Sequence, residues 1–135
     1  MKSFFKSRVL LAIVFVWAAA FSVTAHATEN YKPGLVKTAL ANGETVFVEF
    51  GASWCPTCKV QARVIGEILS ENPSYKDKVR FVRVDWDQYR DSEIVQKYAV
   101  RRHSTLMMLR GDEVLGKLIA NTAREDIAGL IEKGV

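Results

Sequence analysis

The sequence is poor in cysteine: it has two, Cys55 and Cys58, and no third cysteine for either to pair with. A stabilising disulfide framework is thereby excluded, because a bridge closing so short a loop removes little unfolded-chain entropy and joins no distant segments. A strong excess of charge is also missing, with 19 basic against 15 acidic residues and a formal net charge of +4. Three of those basic residues, Lys2, Lys6 and Arg8, stand in an N-terminal stretch that contains no acid at all. The rest of the chain is close to neutral, and a nucleic-acid or polyanion partner is not expected. Nor is there an apolar run of the roughly 20 residues that comfortably span a bilayer. Internal repeats, low-complexity segments and linkers are absent as well.

What is present begins with a tripartite leader. The basic start is followed by an uncharged apolar stretch, Val9 to Phe21, and then by Ala25, His26 and Ala27, with small residues at both positions that signal peptidase reads. Residues 1–27 are expected to be a signal peptide cleaved after Ala27, and residues 28–135 to form one domain of common size. The alternative is an uncleaved N-terminal anchor. In both cases the folded part is expected to be exported, and periplasmic.

Periodicity supplies the elements. A helix is predicted from Pro33 to Asn42, with Leu35, Val36, Ala39 and Leu40 on one side and Asn42-Gly43 as the stop. Thr45 to Phe50 is β-branched and aromatic, the composition of a strand buried on both faces. A helix follows from Pro56 to Leu69, where Pro56 fits a first turn that needs no N–H. Lys78 to Val84 is a strand, Ser92 to Tyr98 a short helix, and Thr105 to Leu109 and Glu113 to Ile119 a hairpin turning at Gly111-Asp112. Thr122 to Lys133 closes as a helix, with Thr122 as N-cap and Glu125 completing a capping box. This order predicts an α/β fold: a central mixed β-sheet of about four strands with helices on both faces. Before the first helix only Thr28 to Tyr31 is available for a further strand.

The two cysteines stand where a strand ends and a helix begins. Free backbone N–H groups and the helix dipole favour a negative charge there, and the thiolate is the reactive form of cysteine. Cys55 is therefore expected to attack, and Cys58, one turn further in and more buried, to resolve the mixed disulfide. Glu49 interrupts an apolar run, so burial is expected to keep its carboxyl protonated; an edge-strand carboxylate facing water is the alternative.

The stretch Val48–Lys59, with Trp54-Cys55-Pro56-Thr57-Cys58 at its centre, resembles the active-site segment of the thioredoxin superfamily. The likeness continues through Val84–Asp87, Val100-Arg101, Thr105–Leu109 and Gly111–Val114. The resemblance implies a thioredoxin fold and thiol-disulfide exchange with protein thiols and disulfides, without a cofactor. It implies a proton-transfer role for Glu49, accompanied by Arg83, and a substrate-binding rim of Trp54 and Trp86, with the loop His103, Ser104 and Thr105 opposite the cysteines. The chain departs from that family at two places: Ser104 stands where most members carry a cis-proline, and Arg63 replaces a helix-kinking proline. A cis bond before a non-proline costs roughly 3 kcal/mol, so the bond before Ser104 is expected to be trans or mixed, with His103 moved relative to Cys55 and tuning its thiolate. Pro56-Thr57 is similar to the dipeptide of relatives that reduce apocytochrome thiols, which implies a reductase fed by a membrane-bound electron donor. Oxidase or isomerase activity is the enzymatic alternative. A non-catalytic peptide- or metal-binding module is another, with Cys55, Cys58 and His103 as three ligands of a zinc or iron-sulfur centre and a fourth from a partner or a second subunit; no stable metal is expected.

Overall fold

A computed structural model describes residues 28–135, so the expected leader lies outside the described residues. The elements are β1 (Glu29–Asn30), α1 (Leu35–Ala41), β2 (Thr45–Gly51), α2 (Pro56–Glu71), α3 (Tyr75–Lys78), β3 (Val79–Asp85), α4 (Trp86–Tyr89), α5 (Glu93–Lys97), β4 (Thr105–Arg110), β5 (Glu113–Ile119) and α6 (Arg124–Glu132). They build a five-stranded mixed sheet in the order β1-β3-β2-β4-β5. The three strands β1, β3 and β2 are parallel, and β4 and β5 run antiparallel to their neighbours.

Every residue of the central strand β2 is buried, Glu49 included, as a strand covered on both faces requires. Because side chains alternate across a strand, β2 feeds two cores. Val46, Val48 and Phe50 join Val82, Val84, Met107 and Leu109 against α1 and α5. Phe47 points the other way, with Phe81, Leu106 and Met108, against Val64, Ile65 and Ile68 of α2 and Ile127 and Ile131 of α6. Helices thus cover both faces. Glu49 shares its face with Phe47 and looks toward α2.

Among its elements the structure differs from the sequence-based expectations at three places. There are five strands and not about four, because Glu29–Asn30 adds in parallel to the open edge of β3. The predicted capping box does not form: α6 starts at Arg124, its N-cap is Ala123, and no side chain caps it. Asn121 does related work instead, its Oδ1 accepting the Ala123 N–H at 2.8 Å while its Nδ2 donates to Asp126 at 2.7 Å. Two short helices, α3 and α4, carry no periodicity that a sequence of four residues can display. With Arg63 in place of a proline, α2 runs as one helix of 16 residues, and Arg63 itself is exposed.

Candidate active site

Cys55 is the N-cap of α2, in extended conformation, with Pro56 in the first turn. Its Sγ accepts the backbone N–H of Cys58 at 3.1 Å, one of the orphan donors at a helix start. Cys55 and Cys58 are joined as a disulfide. The expected order of burial is not found: Cys55 is 1% exposed and Cys58 4%. The loop before β4 and the rim around Trp86 cover the first sulfur as fully as the helix covers the second.

Ser104 is the centre of that cover. Its Oγ lies 3.2 Å from Cys55 Sγ, 3.1 Å from Cys58 Sγ and 3.2 Å from His103 Nδ1. No peptide bond among the described residues is cis, so the chain passes position 104 in trans, with Ser104 fully buried at φ 59°. A serine in the left-handed region is held there at a cost on the order of 1–3 kcal/mol, which surrounding contacts must offset. Its carbonyl accepts from Ala120 N–H at 2.8 Å and from Gln61 Nε2 at 3.2 Å. Gln61 Nε2 also donates to the Asn121 carbonyl at 2.9 Å. Gln61, wholly buried on α2 one turn after Cys58, thus ties the Ser104 loop to the segment leading into α6. Sequence reasoning missed it; the signal was a polar residue on the otherwise apolar face of Cys58, Ile65 and Ile68.

His103, expected to tune Cys55, places its Nδ1 3.8 Å from Cys58 Sγ. The serine side chain fills the place beside Cys55. Trp54 is 57% exposed and packs edge-on to the His103 ring at 4.9 Å between centroids. Its Nε1 donates to Asp87 Oδ2 at 2.8 Å, and Asp87 is held in α4, whose N-cap Asp85 accepts the Asp87 N–H. Trp86 is partly buried against Ala52 and the two cysteines and lies 6.5 Å from His103. Thr105 does not join this rim. It is completely buried, and its hydroxyl donates to the Arg102 carbonyl, so it has no side-chain group to offer a substrate.

Behind Cys58 an open cavity of about 500 Å³ is lined by Glu49, Gly51, Cys58, Lys59, Arg83 and Asp85 among others. Glu49 is 4% exposed, and burial pushes its pKa up, against the opposing pull of Arg83. Arg83 is its direct neighbour across β2 and β3 and holds Glu49 Oε2 from both Nε, at 3.2 Å, and Nη2, at 3.1 Å. A methyl group added at Gly51 would stand 3.8 Å from Glu49 Oε1 and 3.9 Å from Cys58 Sγ. The absent side chain therefore leaves the acid and the second sulfur facing one space.

A redox-active pair capping a helix, on a mixed sheet with helices on both faces, defines a thiol-disulfide oxidoreductase of the thioredoxin fold. The thioredoxin family model matches residues 22–133, and the chain belongs to the thioredoxin family. It is 32% identical over 90 residues to thioredoxin C-2 of Corynebacterium nephridii, spanning 67% of this chain and 79% of that protein. Over 88 residues it is 27% identical to thioredoxin 1 of a Nostoc species, spanning 65% and 78%. Among solved structures it is similar to Trxlp from Edwardsiella tarda EIB202, with a TM-score of 0.68, 25% identity, and coverage of 78% of this chain and 98% of that one.

Proposed function

We propose that this protein reduces disulfides of exported proteins in the periplasm, drawing electrons from a membrane-bound donor. The reading of export rests on residues 1–27, and that of direction on the Pro56-Thr57 dipeptide. Cys55 is the nucleophile, and the observation that carries this is the Cys58 N–H donated to its sulfur at the start of α2, a bond that strengthens when the sulfur is a thiolate. The Cys55 thiolate attacks one sulfur of a substrate disulfide, and the other substrate sulfur leaves and takes up a proton. Glu49 in its carboxylate form then takes the Cys58 proton through water in the cavity, the Cys58 thiolate attacks Cys55 Sγ, and the departing substrate sulfur takes up a proton. The second substrate thiol is released, and the Cys55–Cys58 disulfide is the oxidised end point. Substrate is held against Trp54, Trp86 and His103; the Ser104 carbonyl already has two donors and is not free to pair with a peptide.

Trapping tests the assignment. Cys58→Ser should accumulate mixed disulfides with exported proteins, and Cys55→Ser few; the reverse pattern would overturn the roles. Equilibration of the pair with glutathione tests direction, because a potential at or above that of glutathione would make the protein an oxidant. Cell fractionation and N-terminal sequencing test export and cleavage after Ala27.

A further inference from the structure

We propose that the reduced protein binds one zinc ion between Cys55, Cys58, His103 and Ser104. Among the described residues, Cys55 Sγ, Cys58 Sγ and a ring nitrogen of His103 converge so that all lie within 4.8 Å of one another. Ser104 Oγ stands 3.1 to 3.2 Å from both sulfurs and from His103 Nδ1, as a fourth donor atom over the other three. Zinc takes tetrahedral sets of thiolate and imidazole ligands, with bonds of about 2.3 and 2.0–2.1 Å, so that ligand atoms stand about 3.3–3.8 Å apart. The Cys58–His103 distance of 3.8 Å already fits. Reduction frees the two sulfurs to separate, and closing the set then needs Ser104 Oγ, at 3.1 to 3.2 Å from its neighbours, to move out slightly and His103, within 4.8 Å of Cys55 Sγ, to move in.

Three further observations favour a closed site over accidental proximity. Both cysteines and Ser104 are buried, so a bound ion would be screened from water. Ser104 is held at φ 59° by Ala120 and Gln61, and this strained conformation delivers its hydroxyl to the sulfurs. The Cys58 N–H supports charge on Cys55, as a zinc thiolate needs. Binding converts two thiols and Zn²⁺ into a dithiolate complex and releases two protons, with no change of oxidation state. Oxidation to the disulfide removes both thiolate ligands, so the site exists only in the reduced state. While zinc is bound, Cys55 is blocked from attack. The site needs reduced cysteines alone and is independent of the direction in which the pair works.

The full chain is reduced with a phosphine, which converts the disulfide to two thiols as it becomes a phosphine oxide. Excess reductant is removed under anaerobic conditions. Titration with zinc in competition with a chromophoric chelator should give one ion per chain, about two protons released and protection of Cys55 from alkylation; the oxidised chain should bind none. Cobalt in place of zinc should give the intense visible bands of a tetrahedral thiolate site. Ser104→Ala should weaken zinc by about 10-fold, less than loss of the imidazole, because a neutral hydroxyl is the weakest of the four donors. His103→Ala should weaken it by about 100-fold or more, and His103→Cys, which restores a ligand, should recover most of that loss. Equal affinity in His103→Ala and the unaltered chain, one zinc per two chains, or undiminished binding after oxidation would each overturn the site. Disulfide exchange measured on the same reduced chain with chelator present separates the two readings: exchange without zinc binding removes the metal site alone, and zinc binding without exchange removes the reductase alone.

Discussion

Replacing Gln61 by leucine should destabilise the protein by about 2 kcal/mol, although leucine suits its apolar surroundings. Two hydrogen bonds from Nε2, to the carbonyls of Ser104 and Asn121, disappear, and each is worth about 1 kcal/mol net. The Ser104 carbonyl keeps the Ala120 N–H, so only the Asn121 carbonyl loses its donor, at a further cost of about 1 kcal/mol because Asn121 is partly open to water. Against this, Gln61 Oε1 is buried without a partner, and removing it returns about 1 kcal/mol. Equilibrium unfolding in urea should show the midpoint falling by about 1 M with an unchanged slope. Gln61→Glu supplies the discriminating comparison. Its carboxylate would face two carbonyls, whereas its protonated form can still donate one bond, so this variant should lose more stability at pH 8 than at pH 5. Freed from Gln61, the Ser104 loop should also relax and change the rate of exchange with a model disulfide. If Gln61→Leu is as stable as the unaltered chain, and Gln61→Glu shows no added dependence on pH, these bonds do not hold the loop.

Glu49 makes a second test with a defined sign. Its pKa is raised on folding, so the folded state holds more protons than the unfolded chain above the ordinary value of 4.5, and stability falls as pH rises through the folded value. Glu49→Gln should therefore be more stable than the unaltered protein by a margin that grows from pH 4.5 toward neutrality, while resolution of mixed disulfides slows; a margin independent of pH would reject this. Arg83→Met should act oppositely at neutral pH, costing about 1–2 kcal/mol, less than a fully buried pair because Arg83 is half exposed. Gly51→Ala places a methyl between Glu49 and Cys58 without a clash and should slow single-turnover release of a trapped mixed disulfide by about 10-fold, a fraction of the ~10²–10⁴ that a positioned proton acceptor contributes. Unchanged release would remove that space from the proton route. At the start of α6, Asn121→Ala should cost about 1 kcal/mol in urea unfolding and Thr122→Ala almost nothing, and the opposite ranking would restore the capping box.

The pattern of the chain by itself determined what depends on neighbours in sequence. An apolar run at Thr45–Phe50 must be a buried central strand, a proline after Cys55 suits a helix start, and a carboxyl inside that run must lose water; these are consequences of periodicity and desolvation, which act over a few residues. The resemblance around Trp54–Cys58 added the chemistry. Other features rest on register between distant segments. Glu29–Asn30 has no strand pattern of its own and is extended because β3 leaves an edge unpaired beside it. Cys55 is as buried as Cys58 because a hydroxyl 49 positions away lies against its sulfur. That hydroxyl arrives only because Ser104 takes a left-handed conformation, which is held by a glutamine 43 positions earlier and by the turn after β5. No local rule assigns such a conformation to serine, since its intrinsic preference is against it and only tertiary contacts offset the strain. The sulfurs, the imidazole and the hydroxyl meet where α2 and β4 are brought together by the sheet, so their meeting is a property of the packed fold.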